Sequence, residues 1–242
     1  MGWWLNAVGS SVTSVSAQTP RLWPVTGVVA LPLLASPELL WQAPHRDVLA
    51  GRCSPGPGLA LSGPWRLLLL GDGSPTRHLQ TLSGLPVEID LIAMAPEPPD
   101  PPGGAAPAEI AELDPPLLRR QVWLRCGNRS LAWAESWWNQ QQADQHLLNR
   151  DQPIWLSLTS NRAELFREVD GLALVAAPWL EQRFGRSGPF WARHYRFFRG
   201  GEPFTVIREV FSPDLEHWLG PATQPCPPVR PPSRLDPWLR GG

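Results

Sequence analysis

Between residues 117 and 138 the chain reads LLRRQVWLRCGNRSLAWAESWW, with apolar and polar positions alternating with a period of two ahead of Gly127 and Asn128. A period of two belongs to a strand, whose successive side chains point to opposite faces, and Gly and Asn tolerate the positive φ of a tight hairpin turn. One face then carries Leu118, Arg120, Val122 and Leu124, and the other Arg119, Gln121 and Arg125. Arg119 is expected to be an ordinary solvated residue. Arg120 shares its face with three apolar side chains, where a guanidinium needs an anionic partner because an unpaired buried charge is costly. A structural salt bridge and an anion-binding role are both open for it.

Residues 191–212, WARHYRFFRGGEPFTVIREVFS, repeat the plan around Gly200 and Gly201. With Gly127 laid on Gly201, Glu135 meets Glu209 and Trp137 meets Phe211. Two imperfect copies of a hairpin predict an antiparallel sheet with pseudo-twofold character. Parity leaves the face of Glu209 open: Ile207 and Phe211 lie on its side, Val206 and Val210 on the other. Glu135 is expected to balance an arginine, and Trp123, Trp133, Trp137 and Trp138 to be core. Arg193 is either a second anion contact or half of an ion pair within the sheet; His194 is expected at the surface.

The remaining pattern is patchier. After the apolar run WRLLLL at 65–70, Ser74 is placed to cap a helix, Pro75 suits its first turn and Gly84 its end, predicting a helix over 75–83. VEIDLIAM at 87–94 alternates as a strand, and the polar stretch from Asn139 to Arg150 predicts a short helix. Asn161 and Glu164 have capping spacing and predict a helix ending near Gly171; another is predicted over 178–184. Residues 43–64 read as an irregular connection and 95–108, rich in Pro and Gly, as an exposed, mobile linker. Residues 1–20 read as a loose N-terminus, 21–220 as one domain and 221–242 as a Pro-rich tail. The result is an α+β fold, an antiparallel sheet of about six strands with short helices laid across it.

Composition narrows the chemistry. The formal charge of −1 gives no reason to expect nucleic acid as a partner. All 21 basic residues are arginine, so Schiff-base chemistry and a Walker-type phosphate loop are excluded. Three widely spaced cysteines without a secretion signal point to a reducing, cytoplasmic setting. The five histidines form no ligand-spaced group, so no metal is expected. The apolar run from Val25 to Leu34, interrupted by Pro32, is far short of the roughly 20 residues of a membrane span, and no stable membrane insertion is expected.

Four stretches, LLLGDGSPTRHLQTLSGLPVEI (68–89), LLRRQVWLRCGNRSLAWAESWW (117–138), RDQPIWLSLTSNRAELFREVDG (150–171) and FGRSGPFWARHYRFFRGGEPFTVIREVFSP (184–213), resemble the chorismate lyase (chorismate–pyruvate lyase) family in order and spacing. The likeness is closest to the branch found in cyanobacteria, whose product feeds plastoquinone synthesis. It implies a buried site roofed by helical flaps, and removal of pyruvate from chorismate to leave 4-hydroxybenzoate, with no cofactor. The family's site arginine falls on Arg120 and its site glutamate on Glu209. A backbone N–H following a proline falls on Ile154, and the flap on Ser74, Pro75 and Thr76. Pro75 has no N–H to give, so Thr76 or Ser74 donates instead, or that contact is absent. Glu209 either abstracts the ring proton or positions the substrate's hydroxyl. A monomer acting on a small-molecule substrate is expected.

Two other classes compete. A non-catalytic domain binding an aromatic carboxylate shares this fold in sensing domains of bacterial transcription regulators, though residues 1–60 show neither the basic charge nor the helical period of a DNA-binding unit. An assembly protein docking through its Pro-rich tail rests on composition alone.

Overall fold

The computed structural model describes residues 32–52, 54, 56, 58–99, 103–147, 154 and 165–226. Its centre is the pair of hairpins, β4 (Leu117–Cys126) with β5 (Arg129–Asn139), and β7 (Phe190–Arg199) with β8 (Glu202–Phe211). Gly127 takes φ 60°, and Gly200 and Gly201 take 60° and 89°, values a residue with a Cβ rarely adopts. The hairpins join where β5 pairs with β8. Outside them lie β3 (Val87–Pro96) against β4, β6 (Phe166–Ala176) against β7, and β1 (Glu38–Pro44) against β6. The seven strands run β1-β6-β7-β8-β5-β4-β3, every pair antiparallel. A separate ribbon pairs β2 (Leu59–Leu61) with β9 (Thr223–Pro225).

The repeat is one residue out of the register expected from the sequence. Each hairpin has one unpaired bulge residue, Leu131 in β5 and Phe204 in β8. Aligned on turns and bulges, Gly127 coincides with Gly200, Arg120 with Arg193 and Glu135 with Arg208. Because a slip of one residue turns every side chain to the other face, Glu135 and Glu209 are not counterparts. Glu135 stands opposite Arg208, and Glu209 opposite Ala134 and Arg193.

One face of the sheet is covered by α1 (His45–Leu49), α2 (Gly63–Leu70) and α3 (Pro75–Ser83). The run at 65–70 is helical and buries Trp65, Leu68, Leu69 and Leu70 against Leu124, Leu131 and Phe211, while Leu67 stays 73% exposed. Trp65 Nε1 donates to the Gly220 carbonyl at 2.9 Å, tying α2 to the turn after α6 (Glu216–Leu219). Helix α3 starts at Pro75 and stops on Gly84 at φ 70°, as its signals predict, although the Ser74 side chain makes no capping bond. Helix α4 (Gln140–His146) is capped by Asn139, whose side chain accepts from Gln142 N at 3.1 Å. It packs Ala143 with Trp138, Tyr195 and Phe197 in a second apolar cluster.

The opposite face is covered too, which corrects the expectation that Arg119 is solvated. Arg119 is fully buried. Its Nε lies 2.8 Å from Glu97 Oε2, and its Nη1 3.4 Å from Glu135 Oε2. Arg208 donates from Nε to Glu135 Oε1 at 2.7 Å, and both guanidiniums donate to the Ser36 hydroxyl. A 3₁₀ turn at Ala108–Glu112, the segments around Leu34–Ser36 and 103–107, and helix α5 (Pro178–Phe184) form the cover. The stretch 95–108 is therefore no free linker where it is described. Strand β3 continues to Pro96, Gly104 N bonds Ser36 O at 3.0 Å, and the Ala105 carbonyl accepts from Arg208 at 2.9 Å. Prolines lack a donor, but their neighbours' carbonyls still serve buried arginines.

Two further expectations fail. Residues 161–164 lie outside the described residues, and the segment running on to Gly171 is strand β6, not a helix. Pairing on both edges, with β1 and β7, satisfies its backbone and overrides weak local capping cues. Gly171 is needed there because a Cβ would lie 2.6 Å from the His194 ring. Residues 43–64 hold the end of β1, α1 and β2 rather than one irregular connection, and β1 supplies the seventh strand. His194 is half-buried, 3.3 Å from Glu109. Among the described residues no helix is long and apolar enough to cross a membrane.

Candidate functional site

Ser74, Pro75, Thr76, Arg120, Ile154 and Glu209, drawn from four separate parts of the fold, line one cavity of about 50 Å³. Ser74–Thr76 open α3 above the sheet, Arg120 projects from β4 and Glu209 from β8. Ile154 is the only described residue of 148–164. The apolar wall includes Val122, Leu124, Ala134 and Ile207, all on the face that strand parity assigns to Arg120. The cavity holds a few water-sized molecules. Arg120 is 2% exposed and Glu209 3%, so charge meets little solvent screening.

Glu209 is tightly held. Its Oε2 accepts from Arg193 Nε at 2.9 Å and its Oε1 from the Tyr195 hydroxyl at 2.8 Å. Burial, and then the Glu209 charge, push the Tyr195 phenol far above its ordinary range, so it keeps its proton and acts only as a donor toward the carboxylate. Arg193 thus makes the ion pair within the sheet that strand parity allowed. It also reaches the flap's root: Nη1 donates to Leu68 O at 2.8 Å and Gly71 O at 2.9 Å, and Nη2 to Gly73 O at 3.2 Å.

Arg167 on β6 is a second clamp on the same loop. Its Nη1 donates to Asp72 O at 2.7 Å and Gly73 O at 2.5 Å, and its guanidinium lies 4.6 Å from both the Tyr195 and Phe197 ring centroids. Residues 71–73 are therefore stitched to β6 and β7 by two arginines. Gly73 packs against His78 of α3, where a Cβ would fall 2.3 Å from the imidazole Nε2. Burial first, then the Arg193 charge, hold His78 below its ordinary value of 6.5.

Sequence reasoning missed Arg167, Tyr195 and His78. The capping spacing of Asn161 and Glu164 puts Arg167 in a helix, which hides its strand parity. Aligning the hairpins on their turns would have exposed Arg193 as the counterpart of Arg120. On the outer face, Glu109, Asp170 and His194 bring donor atoms within 4.8 Å of one another. Asp170, though, is already gripped by Arg196, with Nε 3.1 Å from both carboxylate oxygens, so the group reads as an ion network.

These features define a class: an α+β protein whose main antiparallel sheet, roofed by short helices, encloses a small charged cavity. Within that class the chain belongs to the family described as Chorismate pyruvate-lyase Rv2949c-like, which it matches over residues 69–219. It is similar to the uncharacterized protein ycf21 of Cyanophora paradoxa, 31% identical over 157 residues, covering 63% of this chain and 78% of that one. The protein of the same name in Porphyra purpurea is 30% identical over 155 residues, covering 64% and 83%. Among solved structures it is similar to the effector domain of PhnF from Mycobacterium smegmatis, with 15% identity, a TM-score of 0.46, and coverage of 60% and 92%.

Proposed function

We propose that the protein is a chorismate lyase, removing pyruvate from chorismate to leave 4-hydroxybenzoate. The observation that supports this best is the convergence of Arg120 and Glu209, from different hairpins, on one apolar-walled cavity. Arg120 grips the ring carboxylate with two parallel N–H bonds, fixing orientation as well as charge. Ile154 N–H, and Thr76 or Ser74 on the flap, supply further donors.

In the reaction the ring C–H bond at the hydroxyl-bearing carbon and the ether C–O bond at its neighbour break. The C–H electron pair enters the ring, which becomes aromatic, and the ether pair leaves with the enolpyruvyl oxygen. The methylene carbon of that group takes a proton to give pyruvate. Aromatisation drives the step, so the protein has to hold the reactive conformer and exclude water. Both oxygens of Glu209 are already engaged by donors. That favours the positioning role: the carboxylate accepts the substrate's hydroxyl and aligns the carbon that loses its proton, while the substrate itself carries the proton across.

Incubating the purified protein with chorismate and following pyruvate and 4-hydroxybenzoate together tests this reading. Equimolar release of both is expected. Tight binding of 4-hydroxybenzoate with chorismate left intact would instead make it a ligand-binding domain of the same fold.

A further inference from the structure

We propose that Arg167 is the anchor for a second carboxylate, making the cavity selective for dicarboxylates over monocarboxylates. Its charge has no carboxylate partner among the described residues. Glu209, the acidic residue of the cavity wall, is instead matched by Arg193 at 2.9 Å. The hydrogen bonds of Arg167 all go to backbone carbonyls through Nη1, while its buried Nε has no acceptor. Nε and Nη2 form the edge of a guanidinium that takes a carboxylate with two parallel bonds. Here that edge belongs to a cavity-lining residue whose guanidinium carbon lies 4.6 Å from the ring centroids of both Tyr195 and Phe197.

A half-buried cation served only by neutral oxygens is an incomplete ion site. Position adds to this. Arg167 on β6 lies four strand spacings from Arg120 on β4, roughly 19 Å between backbones, a gap that two long side chains reaching inward narrow to the span of a small dicarboxylate. The ring carboxylate belongs to Arg120 and the side-chain carboxylate, that of the enolpyruvyl group, to Arg167. Because Nη1 of the same residue holds Asp72 and Gly73, ligand charge at this point also bears on the loop that carries the flap. The inference rests on the lyase reading for the identity of the ligand but not for the geometry.

The test measures binding of two unreactive probes by tryptophan fluorescence: 4-hydroxybenzoate, and 3-(1-carboxyvinyloxy)-4-hydroxybenzoate, which adds the second carboxylate. Wild type is expected to bind the dicarboxylate on the order of tenfold or more tightly. Arg167→Gln, which also frees the Asp72–Gly73 carbonyls, should weaken the dicarboxylate on the order of tenfold more than 4-hydroxybenzoate and so remove most of that preference, and Arg167→Lys, which keeps charge but not the paired bonds, should fall between. Equal affinity of wild type for both probes, or an equal loss for both in the variants, overturns the assignment; the wild-type comparison stands even where a variant fails to fold. Dicarboxylate preference without chorismate cleavage would sink the lyase reading and leave the anchor standing.

Discussion

The two faces of the central hairpins carry the same kinds of residue to different ends. On the outer face Arg119 and Arg208 meet Glu97 and Glu135, with Ser36 and the Trp137 indole closing the gaps. Each guanidinium there has a carboxylate within ion-pair distance, and the segment 103–113 packs over them, Ala105 O accepting from Arg208 and Leu113 lying against Trp137. On the inner face Arg193 and Glu209 form a comparable pair, but they border a void, and among the described residues Arg167 beside them has only carbonyls as hydrogen-bond acceptors. A closed charge network holds a structure together; the same chemistry next to a cavity, with one cation short of an anion, can hold a ligand. Adjacent residues, Arg119 and Arg120, fall on either side of this division.

The division can be broken by experiment. Glu135→Ala leaves Arg208 buried without a carboxylate and should lower unfolding stability by about 3–5 kcal/mol in urea titration. The folded fraction should keep wild-type kcat/KM; a large catalytic loss in fully folded protein would mean the faces are not separate. On the inner face, Glu209→Ala should cut kcat by about a hundredfold with a small change in KM, by loss of positioning. Arg120→Ala should mainly weaken 4-hydroxybenzoate binding, by roughly ten- to a hundredfold. Wild-type kinetics in both variants would remove the site.

The smallest effect is one of pH, with opposite signs on the two faces. His78 sits below its ordinary 6.5, so the unfolded chain binds the proton more readily. The corresponding stability is present above 6.5 and lost as pH falls below it. Glu97 is raised above its ordinary 4.5, burial outweighing the Arg119 charge. Its contribution is present below 4.5 and lost as pH rises through the folded value. In urea melts across this range, His78→Gln should flatten the acid-side loss and Glu97→Gln the loss toward neutrality. Unchanged slopes in both would show that neither group carries linkage.

Much of this architecture was legible because its signals are local. The period of two, the glycines at 127 and 200–201, and the Ser74-Pro75…Gly84 punctuation of α3 each act within a few residues. Arg120 stood out because a cation broke an apolar face. Other features were not legible for physical reasons. Two adjacent glycines at 200 and 201 allow two overlays of the repeat, and only the bulges at Leu131 and Phe204 decide between them. Capping cues near 161–164 competed with strand pairing from β1 and β7, which come from distant chain.

Local patterning was thus enough for the hairpins, the antiparallel α+β layout and the alternation that separates Arg119 from Arg120. Assembly in three dimensions was needed to say that both faces are covered, that Arg193 neutralises Glu209, and that Arg167 joins the cavity. Alternation depends on the geometry of one strand. Whether a charged side chain meets a partner, a wall or a void depends on segments far away in sequence that pack against it.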